Sequence, residues 1–288
     1  MTVLLQKYRN LSVSAASGLV IDGDAFYVIA DDALHLHAYS LLDAKYEKRI
    51  RLLEGELPID KKARKKQKPD FEALVRLPAQ SDLPHGALLA LGSGSKLNRR
   101  QGVLVPFHAD GAPSQAVQAL DLTVLYATLP FEDTNIEGAL ILGEQLVLMQ
   151  RGNKKNSQSA LVYLPLQEAL QCNGVATKVV CYTLPCINDI PLGFTDGIAL
   201  PNGKILFSAV AENTDDSFND GACAGAAFGI INAQGELLHC KYLAEPFKIE
   251  GIALTFGKRI KLFAVTDADD PVVPAGLFEV ELPEEWLR

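Results

Sequence analysis

The sequence has few of the residues and segments that mark membrane or secreted proteins. Its 288 residues include five cysteines, two methionines and one tryptophan. No apolar run approaches the roughly 18 residues of a membrane helix, and the N-terminal segment lacks the apolar core and cleavage site of a secretory signal. The cysteines form no CxxC pair and are odd in number, which suits reduced thiols better than disulfides. We expect a cytoplasmic chain with no membrane partner.

Several common functional motifs are also missing. The sequence contains no P-loop, GxSxG, HExxH or EF-hand pattern. His35 and His37 alternate along an apparent strand, and we interpret them as ordinary strand residues rather than zinc ligands. With 27 basic and 35 acidic side chains the net charge is −8, which makes nucleic acid an unfavourable partner.

The sequence does contain a fivefold internal repeat. Each repeat begins with a polar residue, a small residue and a short apolar run, and a turn signal then introduces a second apolar run. The repeat starts at positions 17, 72, 137, 196 and 250, so successive repeats are 54 to 65 residues apart. Further strand-like segments follow in most repeats.

Four short antiparallel strands in each repeat are typical of the blades of a β-propeller. We therefore predict an all-β fold, with residues 1–288 forming one domain of five four-stranded blades. The last repeat lacks an obvious fourth strand, and the N-terminal strand is placed to supply it and close the ring. A sandwich of hairpins is the competing fold, but it does not predict a fivefold repeat. The predicted blades are 11–55, 69–122, 134–185, 192–245, and 247–284 together with 2–8.

In a propeller the repeated polar position lies at one mouth of the central channel. The residues at this position are Ser17, Glu72, Glu137, Asp196 and Glu250. Four carboxylates around one axis raise each other's pKa unless a cation lies among them. Ligation by oxygen alone suits Ca²⁺, with Mg²⁺ as second choice. In the alternative interpretation each acid caps its own strand by accepting backbone N–H bonds.

Polar stretches after the second strands are expected to open on the same face. Asp31 and Asp32 follow the first of these strands and are the candidate catalytic bases. Glycine-rich backbone with lysine and arginine suits a phosphate or carboxylate, so we expect a small anionic substrate. The candidate substrate-binding residues are Lys96, Arg99, Arg100, Arg151, Asn153, Lys154, Glu212 and Asp267. The alternative is that these are solvated loop tips, which is also how we interpret the basic run 61–68.

Seven longer stretches resemble a group of bacterial propeller proteins, of unestablished activity, that are often described as phytase-like. The resemblance extends along nearly the whole chain and implies the propeller fold without naming a reaction. The stretches that carry it are Leu91–Lys96, Asn135–Ala139, Gln150–Asn153, Leu192–Asp196, Phe207–Glu212, Asn219–Gly225 and Val265–Pro271.

More distantly, the blade pattern is similar to that of the calcium-activated nucleotidases, the five-bladed apyrases. The resemblance implies an axial Ca²⁺ held by serine and glutamate residues at the starts of the innermost strands. The matching positions are Ser17, Glu72, Glu137 and Glu250, and the chain departs from the pattern with Asp196 where a serine is expected. Asp31 and Asp32 match an aspartate pair of that family, and Arg151 matches its basic residues.

These patterns favour a calcium-dependent hydrolase of a phosphoester or phosphoanhydride, nucleotides included. One alternative is a calcium-dependent lactonase or esterase, which the basic residues suit less well. The other is a non-catalytic propeller that binds a ligand or a protein partner, with an axial ion that only stabilises the blades.

Overall fold

The computed structural model describes residues 2–43, 47–152, 158–215, 221–256, 260–282 and 286. Within these ranges the strands form five antiparallel sheets, each of them one blade. The fold is the five-bladed β-propeller that the repeat predicts. Its blades form because each repeat alternates short β-prone runs with tight turns, which favours local antiparallel pairing.

The strands are numbered in chain order, and the first of them, β1 (Gln6–Asn10), belongs to the last blade. The first blade contains β2 (Ala16–Asp22), β3 (Ala25–Ala30), β4 (His35–Ser40) and β5 (Glu47–Arg51). The second contains β6 (Phe71–Leu77), β7 (Ala87–Gly92), β8 (Gln101–Pro106) and β9 (Gln118–Asp121). The third contains β10 (Ile136–Leu142), β11 (Gln145–Gln150), β12 (Ser159–Pro165) and β13 (Lys178–Tyr182).

The fourth blade has an additional two-residue strand at its start. It contains β14 (Cys186–Ile187), β15 (Ile190–Ala199), β16 (Ile205–Glu212), β17 (Cys223–Ile231) and β18 (Leu237–Tyr242). The fifth contains β19 (Lys248–Phe256), β20 (Ile260–Asp267), β21 (Gly276–Val280) and β1. The helices are α1 (Lys61–Gln67), α2 (Thr123–Ala127) and α3 (Leu166–Leu170), with a 3-10 turn at Leu97–Arg99. None of the helices in the described ranges is long and apolar enough to cross a membrane.

The N-terminal strand closes the propeller, as predicted. β1 pairs antiparallel with β21 and is the outermost strand of the fifth blade. Just before it, Val3 forms a parallel bridge to Leu243 at the end of the fourth blade. The paired strand is 6–10 rather than the predicted 2–8, and the segment before it connects two blades.

The first strands of the blades surround the axis. β2, β6, β10, β15 and β19 contact one another in a closed ring. Their backbones approach closely, and a Cβ atom on Gly138 would lie 2.7 Å from the Cα of Asp196. A Cβ atom on Gly251 would likewise lie 2.8 Å from the backbone nitrogen of Leu19. Glycine is therefore required at both positions by the distance between neighbouring inner strands.

Each inner strand carries a pairing irregularity near its beginning, which aligns the five blades. The residues skipped by the pairing are Ser17, Glu72, Glu137, Thr195 and Glu250. In the fourth blade the skipped residue is thus Thr195, and the prediction of Asp196 at this position is wrong by one residue. Asp196 pairs with Ser208 instead. Its carboxylate accepts hydrogen bonds of 2.8 Å from the backbone N–H groups of Gly197 and Ile252.

Candidate functional site

A cavity of about 200 Å³ opens on the propeller axis. It lies where the inner strands begin and the second strands end, because antiparallel neighbours present these ends at one face. The inner strands contribute Ser17, Glu72, Glu137 and Glu250, and the residues at the ends of the second strands contribute Asp31, Asp32, Arg151, Glu212 and Asp267. This space, with these residues, is called the axial cavity below.

Arg151 is the central positive group of the axial cavity. Its Nη1 lies 3.1 Å from Glu137 Oε2, and its Nη2 lies 2.8 Å from Glu212 Oε2. Glu250 Oε1 is 3.9 Å from the same Nη1. Burial by itself lowers the pKa of Arg151, but the neighbouring carboxylates raise it above its ordinary value, so the guanidinium remains charged. Arg151, which the sequence predicted to bind the anionic substrate, is thus paired with carboxylates of three blades.

Lys248 is a second buried cation, and it shares Glu212 and Glu250 with Arg151. Its Nζ is 2.7 Å from Asp269 Oδ1 and between 3.5 and 3.7 Å from oxygens of Glu212, Glu250 and Asp267. Burial lowers the pKa of Lys248, but these carboxylates raise it well above its ordinary value. Sequence reasoning did not identify this residue, although it stands two residues before Glu250 in the same repeat.

Lys68 is a third buried cation, and it lies against the first and second blades. Its Nζ contacts a carboxylate oxygen of Asp31 and lies 2.9 Å from Asp70 Oδ1. The other oxygen of Asp70 accepts a 2.7 Å bond from Arg99 Nη1 and a 2.6 Å bond from Ser93 Oγ. The sequence patterns did not identify Asp70 either, although an aspartate directly before an inner strand is a signal for a residue at the mouth of the channel.

An acidic cluster beside Lys68 has the composition of a site for a hard cation. One oxygen atom from each of Asp31, Asp70 and Glu72 lies within 4.8 Å of the others. Burial, reinforced by Asp70 and Glu137, raises the pKa of Glu72 well above its ordinary value. Burial also raises the pKa of Asp31, although Lys68 opposes the shift. Three carboxylates whose oxygens lie this close together are suited to Ca²⁺ or Mg²⁺. This donor set differs from the predicted ring.

The hydroxyl members of the ring bond to protein groups. Ser17 Oγ donates a 2.5 Å hydrogen bond to the carbonyl of Phe71 in the second blade. The hydroxyl of Thr195 lies 2.8 Å from that of Ser208, and Thr195 is outside the axial cavity. The ring therefore contributes three glutamates and one serine to the cavity, and the fourth blade contributes Glu212 from its second strand instead.

The predicted substrate-binding residues divide into three groups. Arg99, Arg151, Glu212 and Asp267 line the axial cavity, whereas Lys96 and Arg100 do not. Arg100 donates from Nε to the carbonyl of Gly94 at 3.4 Å, and Lys96 is exposed. The predicted Asn153 and Lys154 lie outside the described residues.

The basic run 61–68 covers one side of the axial cavity, so its interpretation as a solvated loop is wrong. The run forms α1, whose first turn is capped by Asp60 through a 2.8 Å bond from Ala63 N–H. Arg64 Nη1 lies 3.4 Å from Asp32 Oδ2, and Lys61 Nζ lies 3.5 Å from the carbonyl of Asp269. An aspartate directly before a run of helix-forming residues was a sequence signal for this helix.

Two acids of the axial cavity titrate near neutral pH. Burial raises the pKa of Glu250 to about 8, although Lys248 and Arg151 oppose the shift. Burial raises the pKa of Asp267 to about 7 in the same way. Groups with such pKa values can donate or accept a proton at neutral pH, and they are frequent at functional sites.

The fold and the cavity together define a five-bladed β-propeller with a buried, highly charged axial site. The chain belongs to DUF6929, a family of unknown function whose model matches residues 12–282. No curated protein matches the chain. Because the family description gives no activity, the phytase-like and nucleotidase resemblances stay predictions.

Solved structures with similar folds include several enzymes. An engineered GH43 glycoside hydrolase with endo-xylanase and exo-arabinofuranosidase activity is 10% identical, with a TM-score of 0.58. The similarity covers 98% of this chain and 53% of the hydrolase. A luciferin-regenerating enzyme is 11% identical, with a TM-score of 0.51, over 96% of this chain and 95% of the enzyme. At these identities the likeness shows the fold alone.

Proposed function

We propose that the axial cavity is the active site of a calcium-dependent hydrolase that cleaves a small phosphoester or phosphoanhydride. The observation that carries this proposal is the cluster of Asp31, Asp70 and Glu72 beside the basic face of α1. An acidic cation site next to positive side chains suits an anionic substrate that binds together with its metal ion.

Asp31, Asp70 and Glu72 would hold the cation, with Ca²⁺ preferred and Mg²⁺ second. A divalent cation supplies Lewis-acid polarisation of a phosphoryl oxygen. Lys68 Nζ lies against Asp31 and Asp70, and we expect cation binding to displace it from both. The positive charge required between the carboxylates is then supplied by the ion.

Side chains of the cavity would bind the substrate and transfer protons. Arg64 and Lys61 line the same cavity from α1 and are placed to bind phosphate oxygens. Of the two candidate bases, Asp31 holds the cation in this arrangement, which leaves Asp32 as the base for the attacking water. Asp267, with a pKa of about 7, is partly protonated at neutral pH and can donate a proton to the leaving oxygen.

A non-catalytic binding propeller is the second candidate function, and one observation favours it. Lys68, Arg151 and Lys248 already place positive charge among the carboxylates of the axial cavity. In this alternative the ion pairs hold the blades together, and the cavity binds a ligand without turning it over. Hydrolysis assays separate the two functions.

Added Ca²⁺ should raise the melting temperature of chelator-treated protein by several degrees. A cation at 100 times its Kd stabilises the folded state by about 2.7 kcal/mol, and each kcal/mol corresponds to roughly 2–4 °C in a chain of this size. Glu72→Gln removes a ligand and should abolish the rise. Asp22→Asn is the matched control, because Asp22 pairs with Arg76 at the other end of β2. Equal rises in wild type and Glu72→Gln would contradict the proposed cation site.

Hydrolysis should require both the cation and Asp32. We expect turnover of a phosphoester or a nucleoside diphosphate with Ca²⁺, and at least a hundredfold loss with chelator or in Asp32→Asn, the range for a positioned acid or base. Lactones and carboxylic esters assayed in parallel test the alternative esterase chemistry. Calcium-dependent stabilisation without hydrolysis of any of these substrates would favour the binding propeller.

A further inference from the structure

A second cavity, of about 600 Å³, adjoins the axial cavity on the side of the first blade. The two cavities share Ser14, Asp32, Arg64 and Pro271 in their linings. Arg64 of α1 therefore stands at the junction between them. This space is called the first-blade cavity, and of its lining only Asp32 and Arg64, at the junction, belong to the predicted sites or the proposed function.

The polar wall of the first-blade cavity comes from the two outer strands of the first blade. His35 pairs directly with Arg51 across β4 and β5, and His37 pairs with Arg49. Alternate residues of a strand point to one face, so all four side chains share a face. All four line the cavity. The alternation of the two histidines, interpreted from the sequence as an ordinary strand pattern, thus places them opposite two arginines.

Two of these groups have no acidic partner in the described part of the chain. Arg51 donates from Nη1 to the carbonyls of Leu53 and Gly55, at 3.4 and 3.0 Å, and no described carboxylate lies within 4 Å of it. The ring of His35 makes no hydrogen bond to the described residues. By contrast, Glu47 accepts from Arg49 Nε at 3.2 Å and lies 3.0 Å from His37 Nδ1.

The charge of the first-blade cavity is opposite in sign to that of the axial cavity. Its lining contains Arg49, Arg51 and Arg64 against two acids, Asp32 and Glu56. A guanidinium held by backbone carbonyls keeps its full charge and offers its remaining N–H groups in a fixed plane, which matches phosphate and carboxylate oxygens. Apolar residues complete the wall, among them Leu11, Val13, Leu57 and Val272.

We propose that the first-blade cavity is a second anion-binding subsite, in which Arg51 and His35 bind a phosphate or carboxylate group at the far end of the ligand. The reacting end of the same ligand occupies the axial cavity, past Arg64, and an apolar segment connects the two ends. The inference that one ligand spans both cavities rests on the proposed function, whereas the inference of an anion subsite does not. The substrate class is then a phosphoester with a second anionic group.

Histidine side-chain NMR tests the subsite without reference to catalysis. The chain has five histidines, and the three outside this cavity, His85, His108 and His239, are exposed elsewhere. Inorganic phosphate titrated into the full chain at neutral pH should shift the ring resonances of His35 in a saturable manner and leave those three unchanged. Arg51→Gln should weaken this binding at least tenfold. Arg76→Gln is the control, because Arg76 pairs with Asp22 at the opposite end of the blades.

Two results of this titration would overturn the subsite. One is the absence of a saturable shift of His35 in the wild type, and the other is an equal response in Arg51→Gln. Because the Arg51 side chain is exposed and, among the described residues, bonds to backbone carbonyls alone, the variant should fold, and an unchanged backbone spectrum checks this. Acetate in place of phosphate tells which anionic group the subsite prefers.

Calorimetry with alkane bisphosphonates tests whether one ligand spans both cavities. With Ca²⁺ present, a bisphosphonate of suitable spacer length should bind at least tenfold more tightly than the matching alkyl monophosphonate, because its second group binds at high effective concentration. The gain should disappear in Arg51→Gln, while the calcium-dependent part of monophosphonate binding stays the same. No gain at any spacer length would overturn the spanning ligand. Monophosphonate binding that has no calcium-dependent part would instead count against the proposed function, and the His35 titration then decides the subsite alone.

Discussion

Replacing Arg151 with methionine should destabilise the protein by about 3–5 kcal/mol, the cost of removing one partner from a buried ion pair. The Arg151 side chain is 8% exposed, and its guanidinium contacts Glu137, Glu212 and Glu250. Methionine has a similar length and adds no charge, so these carboxylates would lose their shared cation while still buried. Chemical denaturation that yields the free energy of unfolding measures the effect.

A matched surface pair provides the control for this variant. Lys261 Nζ lies 2.9 Å from Glu279 Oε2, and the lysine side chain is 41% exposed. Lys261→Met should therefore cost at most about 1 kcal/mol, as exposed ion pairs do. If Arg151→Met also lost less than about 1 kcal/mol, the axial ion pairs would not hold the blades together. Adding Glu212→Met to Arg151→Met should recover part of the loss, because it removes one of the buried carboxylates that the first change deprives of the guanidinium.

The fold could be predicted from the sequence because a propeller blade is formed by local contacts. Each strand pairs with the next along the chain, and turn signals such as Asp22–Asp24 mark the connections. The closing strand was predictable for a different reason, since the fifth repeat lacked a partner for its outer edge. Closure pairs β1 with β21, as the missing strand required.

The alignment of the fourth repeat could not be predicted from the same pattern. Thr195 and Asp196 are two polar residues side by side, and only Asp196, followed by Gly197 and Ile198, fits the motif of a polar, a small and an apolar residue. The pattern therefore selects Asp196 and not Thr195. The choice is made by cross-strand pairing, in which Asp196 lies opposite Ser208. Its carboxylate bonds to backbone N–H groups of its own strand and of β19. The bond from β19 comes from the neighbouring blade, which a single repeat does not reveal.

The partners of the carboxylates were also beyond sequence reasoning. Asp31 and Lys68 are 37 residues apart, and Arg151 and Glu212 are 61 residues apart. Sequence patterns predicted the acidic residues at one mouth of the channel. Glu72, Glu137 and Glu250 line the axial cavity there because they follow the repeat, whereas Asp196 is displaced by one residue. The patterns could not tell whether an arginine at the same mouth faces a substrate or a glutamate, since both arrangements use the same residue types.

The free energy of unfolding should fall as the pH rises from about 5 to about 8, and Glu250 should account for much of the change. Burial raises the pKa of Glu250 from 4.5 to about 8 in the folded protein. Below the lower value both states hold the proton. Between the two values the unfolded chain releases the proton and the folded chain keeps it, so increasing pH favours unfolding. The stabilisation is lost in full only above the folded pKa.

Glu250→Gln should flatten this dependence, because glutamine resembles the protonated acid at every pH. Each pKa unit corresponds to about 1.4 kcal/mol, so the two proteins should differ by a few kcal/mol in the change of stability across the interval. Denaturant midpoints measured with chelator present remove any contribution of bound cations. Glu279→Gln, which alters the exposed pair with Lys261, should retain the wild-type slope. Equal slopes in all three proteins would mean that Glu250 is ionised across the whole interval, with Lys248 and Arg151 outweighing its burial.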